Sequence, residues 1–134
     1  MGILIDSSIL IHAERTGADY AERVKDRESE ASFISVITAS ELLHGVHRAA
    51  DPSIRSRRQA FVEAILSAIP VLPIDLATAR SHAQLWAELS RNGLMIGVHD
   101  AWLASACLAH GLRMATFNLR EFERVPGLEI ERWS

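Results

Sequence analysis

The chain has 134 residues, 49% of them hydrophobic and 23% charged, with four Pro and a net charge of −3. This is a globular composition sized for one domain, residues 1–134, with a single core, and it excludes disorder and any bulk electrostatic pull toward nucleic acid. Apolar stretches fall far short of the ~20 residues of a membrane span, and the start carries no signal-peptide pattern, so neither membrane nor secretion is expected.

Ile3-Leu4-Ile5 is a continuous apolar run with the character of a strand buried on both faces, and "SSILIHAER" behind it reads as a short helix. Between the two stands a bare carboxylate, Asp6. Residues 18–30 are polar with sparse apolar positions, which predicts an exposed helix. "ASFISVI" (31–37) predicts a second strand, and "TASELLHGVHRAA" (38–50) a helix in which Thr38 and Glu41 have the spacing of a capping box. Asp51-Pro52 breaks the chain. The next segment, 54–69, is amphipathic with Phe61, Ile65 and Leu66 on one side.

"VLPI" (71–74) predicts a short third strand, after which Asp75 caps a long helix stopping near Asn92-Gly93. "HDAWLASACLAHG" (99–111) is a mostly apolar helix closing on Gly111. It holds the only cysteine, Cys107, which cannot form an internal disulfide and fits a reducing cytoplasm. "LRMATF" (112–117) is a strand, "NLREFERVPG" a short helical turn and loop, and "LEIERW" a last strand. Strands alternating with helices predict an α/β domain, its mainly parallel central sheet covered on both faces.

In such a fold the carboxyl ends of the strands share one edge, where ligands bind. Asp6, Glu41, Asp100 and the pair Thr116 and Asn118 all end strands or begin the next helices. Each has a local explanation: Asp6 as a helix cap, Glu41 as the capping-box partner, Asp100 as a complement to a helix dipole. Those explanations are separate, and none accounts for three acids on one edge without Lys or Arg beside them. Three carboxylates brought together repel unless a proton or a cation intervenes. An all-oxygen set favours Mg²⁺ or Mn²⁺, and such an ion, gripping a phosphate and activating water, points to phosphodiester hydrolysis.

Rival motifs are weak. There is no G-x-x-x-x-G-K-[ST] or G-x-G-x-x-G loop. A receiver domain needs a Lys after a late strand, and the sole Lys is Lys25. A haloacid-dehalogenase-like phosphatase wants an Asp where Ser8 stands. His44 and His47 have helical i,i+3 spacing, but no third ligand of metal-site spacing accompanies them. His99 can orient substrate or water, or be structural. Trp86, Trp102 and Trp133 read as core or interface residues.

Taken together, "ILIDSSILI", "SVITASELLHG", "HDAWLASACLAHGLRMATFNLREF" and "VPGLEIERW" resemble PIN domains, nearly end to end. The likeness is greatest to VapC-like toxins of type II toxin–antitoxin systems. The resemblance implies a PIN-like three-layer α/β/α fold and a Mg²⁺- or Mn²⁺-dependent endoribonuclease cutting a structured RNA. The family's three acids fall on Asp6, Glu41 and Asp100, as catalytic and metal-holding residues. Its fourth acid, in a T-x-D/N element, is replaced here by Asn118, which brings no charge. One metal bridging Asp6 and Asp100 is then expected, with Glu41 holding a water or accepting its proton. Ser7 and Thr116 would support the site by hydrogen bonds, and Glu121 or Glu123 are candidates for the missing charge.

The resemblance also implies a homodimer and a cognate VapB-like antitoxin filling the groove, often with a basic side chain. Thirteen of the fourteen Lys and Arg residues are Arg, and the cluster Arg55, Arg57 and Arg58 is the candidate RNA flank. A rival reading makes the chain a catalytically weakened PIN-like module that binds RNA or a protein without cutting, with Asn118 as its support.

Overall fold

The computed structural model describes residues 2–17 and 30–133, so the helix expected at 18–30 lies, apart from Glu30, outside the described residues. Five strands are described, Ile3–Ile5 (β1), Ser32–Ser35 (β2), Val71–Leu72 (β3), Arg113–Thr116 (β4) and Ile130–Arg132 (β5). The helices are Ser7–Thr16 (α1), Val36–Arg48 (α2), Pro52–Ala68 (α3), Leu76–Asn92 (α4), Val98–His110 (α5) and the short Leu119–Phe122 (α6). The sheet order is β3-β2-β1-β4-β5, with every pairing parallel.

The chain builds outward from β1 to β3, then returns to lay β4 on the other side of β1. Strand order therefore reverses between β1 and β4, which opens a crevice at their carboxyl ends. β1 lies in the middle because its three residues are apolar and its alternate side chains enter opposite cores. Ile3 and Ile5 pack with Ile9, Ile34, Leu42, Val46, Val62 and Trp133 on one face. Leu4 packs with Leu85, Leu89, Leu103, Met114 and Phe122 on the other. These two cores make the three-layer α/β/α arrangement. Phe61, Ile65 and Leu66 do lie on the core side of α3, packed against the first of them. Among the described residues no helix is long and apolar enough to cross a membrane.

Capping decides where the helices begin. Ser35 accepts the N–H of Ile37 at 3.0 Å, so α2 starts at Val36 and β2 ends at Ser35. The expected capping box of Thr38 with Glu41 is thus not formed: Thr38 already lies inside the helix, fully buried. Asp51 accepts the N–H of Ser53 at 2.8 Å and of Ile54 at 3.4 Å, starting α3 at Pro52. Asp51→Ala is expected to cost about 1 kcal/mol, the usual value of a cap. An unchanged urea midpoint would show that these two bonds contribute nothing. Asp75 caps α4 through the Thr78 N–H at 2.8 Å, as expected, and also meets His110 Nε2 at 3.0 Å, joining the start of α4 to the end of α5.

Candidate active site

Asp6 leaves β1 as the N-cap residue of α1, yet its side chain bonds none of the helix N–H groups. The helix-cap explanation of this carboxylate is therefore not what the structure contains. Its Oδ2 instead accepts the hydroxyls of Ser8 and Thr116, each at 2.8 Å. Those hydroxyls in turn accept the backbone N–H of Phe117 at 3.2 Å and of Asn118 at 2.8 Å. Asp6 is only 3% exposed and Thr116 is fully buried. A buried carboxylate needs such donors because desolvation without them is costly.

Since α2 begins at Val36, Glu41 is free of any capping duty. One oxygen, Oε2, lies 3.7 Å from Nδ1 of the exposed His99. The other, Oε1, is buried without a hydrogen-bond partner. Burial raises the Glu41 pKa above the usual carboxylate value, helped by the Asp6 charge, while His99 and a hydrogen bond from Ser7 pull it back. Of the two neighbouring serines it is Ser8, which the sequence offers no reason to select, whose hydroxyl bonds Asp6.

Asp100 stands in the first turn of α5. Burial, a hydrogen bond to Glu121 and the charges of Asp6, Glu121 and Glu41 push its pKa up to about 7. Glu121 is held below its usual range by that same bond and by the Gly97 N–H, which its Oε2 accepts at 3.2 Å. Gly97, the N-cap of α5, has no side chain of its own to cap with, and the carboxylate arriving from α6 takes up the N–H of Gly97 itself. A methyl at Gly97 would stand 3.5 Å from Asp100 Oδ2 and 3.6 Å from Glu121 Oε2, so the two acids flank it.

Of the two glutamates considered for the missing charge, only Glu121 reaches the acids; Glu123 is exposed. The signal for it is its position, one helical turn after Asn118. Asn118 donates from Nδ2 to Asp100 Oδ2 at a long 3.5 Å.

The arginine cluster is not brought to this edge. Arg55 donates from Nε and Nη2 to the Ala49 carbonyl at 3.0 and 2.6 Å. Arg58 pairs with Glu14 at 2.8 Å and donates to the Gly45 carbonyl at 3.0 Å. These partners lie one to two turns or more down α1 and α2 from the acids, because both helices run away from the carboxyl edge. Arg57 is exposed. His44 and His47 are exposed on α2, Trp133 is buried, and Trp102 stacks on His82 at 3.6 Å.

Among the described residues, the one base paired with Asp6, Glu41 or Asp100 is His99. No three His, Cys, Asp or Glu side chains among them close into a ready-made metal cage. An open, all-oxygen set with one buried carboxylate oxygen left unpartnered fits a hard divalent cation that keeps several waters, and fits zinc poorly.

The PIN domain family profile matches residues 3–128. The chain is similar to the tRNA(fMet)-specific endonuclease VapC of Salmonella typhimurium, 33% identical over 97% of this chain and 96% of that protein. Its structure resembles DNA-bound VapBC from Salmonella typhimurium with a TM-score of 0.90, at 34% identity over 100% of this chain and 99% of that one. It also resembles VapBC2 from Rickettsia felis bound to a promoter DNA fragment, with a TM-score of 0.92 at 26% identity over the full length of both.

Proposed function

Because this chain belongs to the PIN domain family, we propose that it is the endoribonuclease toxin of a type II toxin–antitoxin system, hydrolysing phosphodiester bonds in a structured RNA. The observation that carries the site assignment is that the charges of Asp6 and Glu41 help burial and Glu121 push the Asp100 pKa up to about 7, with no Lys or Arg paired to Asp6, Glu41 or Asp100 among the described residues. Asp6 and Asp100 would hold Mg²⁺ or Mn²⁺. When bound, that ion supplies Lewis acidity to the phosphate and lowers the pKa of water.

Glu41 takes the proton of the attacking water at Oε1, the oxygen that has no other partner. Its raised pKa makes it a better base than an ordinary carboxylate. Glu121 supplies the negative charge that Asn118 lacks, and Asn118 orients Asp100. Ser7 and Thr116 hold Glu41 and Asp6 in place. The acidic crevice also suits a basic side chain of a VapB-like antitoxin, and the solved structures that the fold resembles are of VapBC. We read the protein as a homodimer working in the cytoplasm, where RNA is available and the buried thiol Cys107 stays reduced.

The Salmonella relative makes initiator transfer RNA the first substrate to try. The purified protein is expected to cut it at one or a few sites in Mg²⁺, with mapped ends reporting the position. Binding without cleavage at every Mg²⁺ and Mn²⁺ concentration, on this and on total RNA, would favour the weakened binding module instead.

A further inference from the structure

Ser8 has no assigned part in this chemistry. It lies in the first turn of α1, where a serine hydroxyl ordinarily bonds nearby backbone of its own helix. Here it reaches out of the helix in two directions. Its Oγ donates to Asp6 Oδ2 at 2.8 Å and accepts the Phe117 N–H, 109 residues away in sequence, at 3.2 Å. Thr116 repeats the pattern, donating to the same Oδ2 at 2.8 Å and accepting the Asn118 N–H at 2.8 Å. The two hydroxyls are 3.4 Å apart.

Each proton is aimed at the carboxylate because the oxygen behind it already receives a backbone N–H. One donor alone leaves a carboxylate free to swing about that bond. Two donors from different elements, converging on a single oxygen, fix the carboxylate plane and leave Oδ1 untied. Both N–H groups belong to the turn after β4, which also carries Asn118 to Asp100, so the clamp ties Asp6 to the strand bearing the far side of the site.

We infer that Ser8 is a positioning residue which, with Thr116, locks Asp6 by Oδ2 so that Oδ1 is presented to a divalent cation. This rests on the metal-dependent nuclease reading above. Orienting partners of metal ligands are commonly worth about ten- to a hundredfold in affinity, and Ser8, one of two donors, belongs at the low end.

The test is Mn²⁺ binding to the folded protein, read from the free-Mn²⁺ electron paramagnetic resonance signal, beside thermal melting without metal. Ser8→Ala is expected to raise the Mn²⁺ Kd about tenfold. Ser8→Thr, which keeps the hydroxyl at this partly buried position, is expected to stay within about threefold of the unaltered chain. A purely structural serine would lower the melting temperature and leave the Kd of the folded molecules alone.

Should Ser8→Ala not fold, Ser8→Cys, similar in size but a poor donor, takes its place with the same expectation. A Kd within about twofold of the unaltered chain in the folded variant, or a folded Ser8→Thr as weak as Ser8→Ala, overturns the role of Ser8 alone. No Mn²⁺ binding by the unaltered chain overturns the metal reading and the clamp together.

Discussion

Asp100→Asn is expected to lower RNA cleavage about a thousandfold, the rate equivalent of roughly 4 kcal/mol, while making the metal-free protein more stable at pH 8. Both effects have one origin. Asp100 is a carboxyl that burial, Glu121, Asp6 and Glu41 hold protonated up to about pH 7. In the unfolded chain it loses its proton near its ordinary value of 3.8. Between these two values the native state binds a proton that the unfolded state does not, so stability falls as pH rises through that window.

Glu41, also raised, acts in the same direction. Glu121, held low, acts in the opposite one, its contribution being lost at the acid end. Asparagine at 100 can still donate to Glu121, keeps the shape, and removes the charge that Asp6 and Glu41 repel. The check is melting in EDTA at pH 6 and pH 8 beside cleavage in Mg²⁺. Cleavage at the unaltered rate would remove Asp100 from the site. An equal loss of melting temperature at both pH values would mean that packing, and not repulsion, is what the residue contributes.

Removing divalent metal is expected to abolish cleavage outright, and restoring it should work better as pH rises toward 7. A cation at Asp100 must displace its proton, so apparent affinity gains about tenfold per pH unit below about pH 7 and levels off above it. The cation also neutralises the repulsion among the acids, so its effect on melting temperature is larger at pH 8 than at pH 6. Calorimetric titration of Mg²⁺ or Mn²⁺ across that range reads the affinity and the released proton together. An affinity flat from pH 6 to pH 8 would place the ion away from Asp100, and cleavage persisting in excess EDTA would end the metal-dependent reading.

Much of this was legible in the chain itself. The run Ile3-Leu4-Ile5 announced a buried central strand, and Asp75 and Gly93 bounded α4 where they were expected to. Such signals are local: an apolar run, a side chain able to take an N–H, a residue tolerant of positive φ. Where two local signals competed, sequence reasoning erred. Ser35 and Thr38 are both good caps, and only the end of pairing between β2 and β3 at Ser35 and Leu72 selects the former. The place of the arginine cluster is hidden in the chain for a related reason. Helix direction carries Arg55 and Arg58 toward Ala49, Gly45 and Glu14, and no spacing along the chain reveals which end of a helix faces the acids.

By itself, then, the sequence determined the class of fold and placed Asp6 at the end of β1, because an apolar run that makes a strand also fixes where the next polar residue must stand. Only the tertiary structure decided which acids meet. The order β3-β2-β1-β4-β5 sets β1 beside β4, so Asp6 finds Thr116 across 110 residues and Glu121 comes round to Asp100. Strand order is a choice among packings of similar local quality, settled by how two cores close on the two faces of β1. That choice turns "GILIDSS" from a strand with a charged end into a carboxylate clamped by Ser8 and Thr116 at the switch point of the sheet.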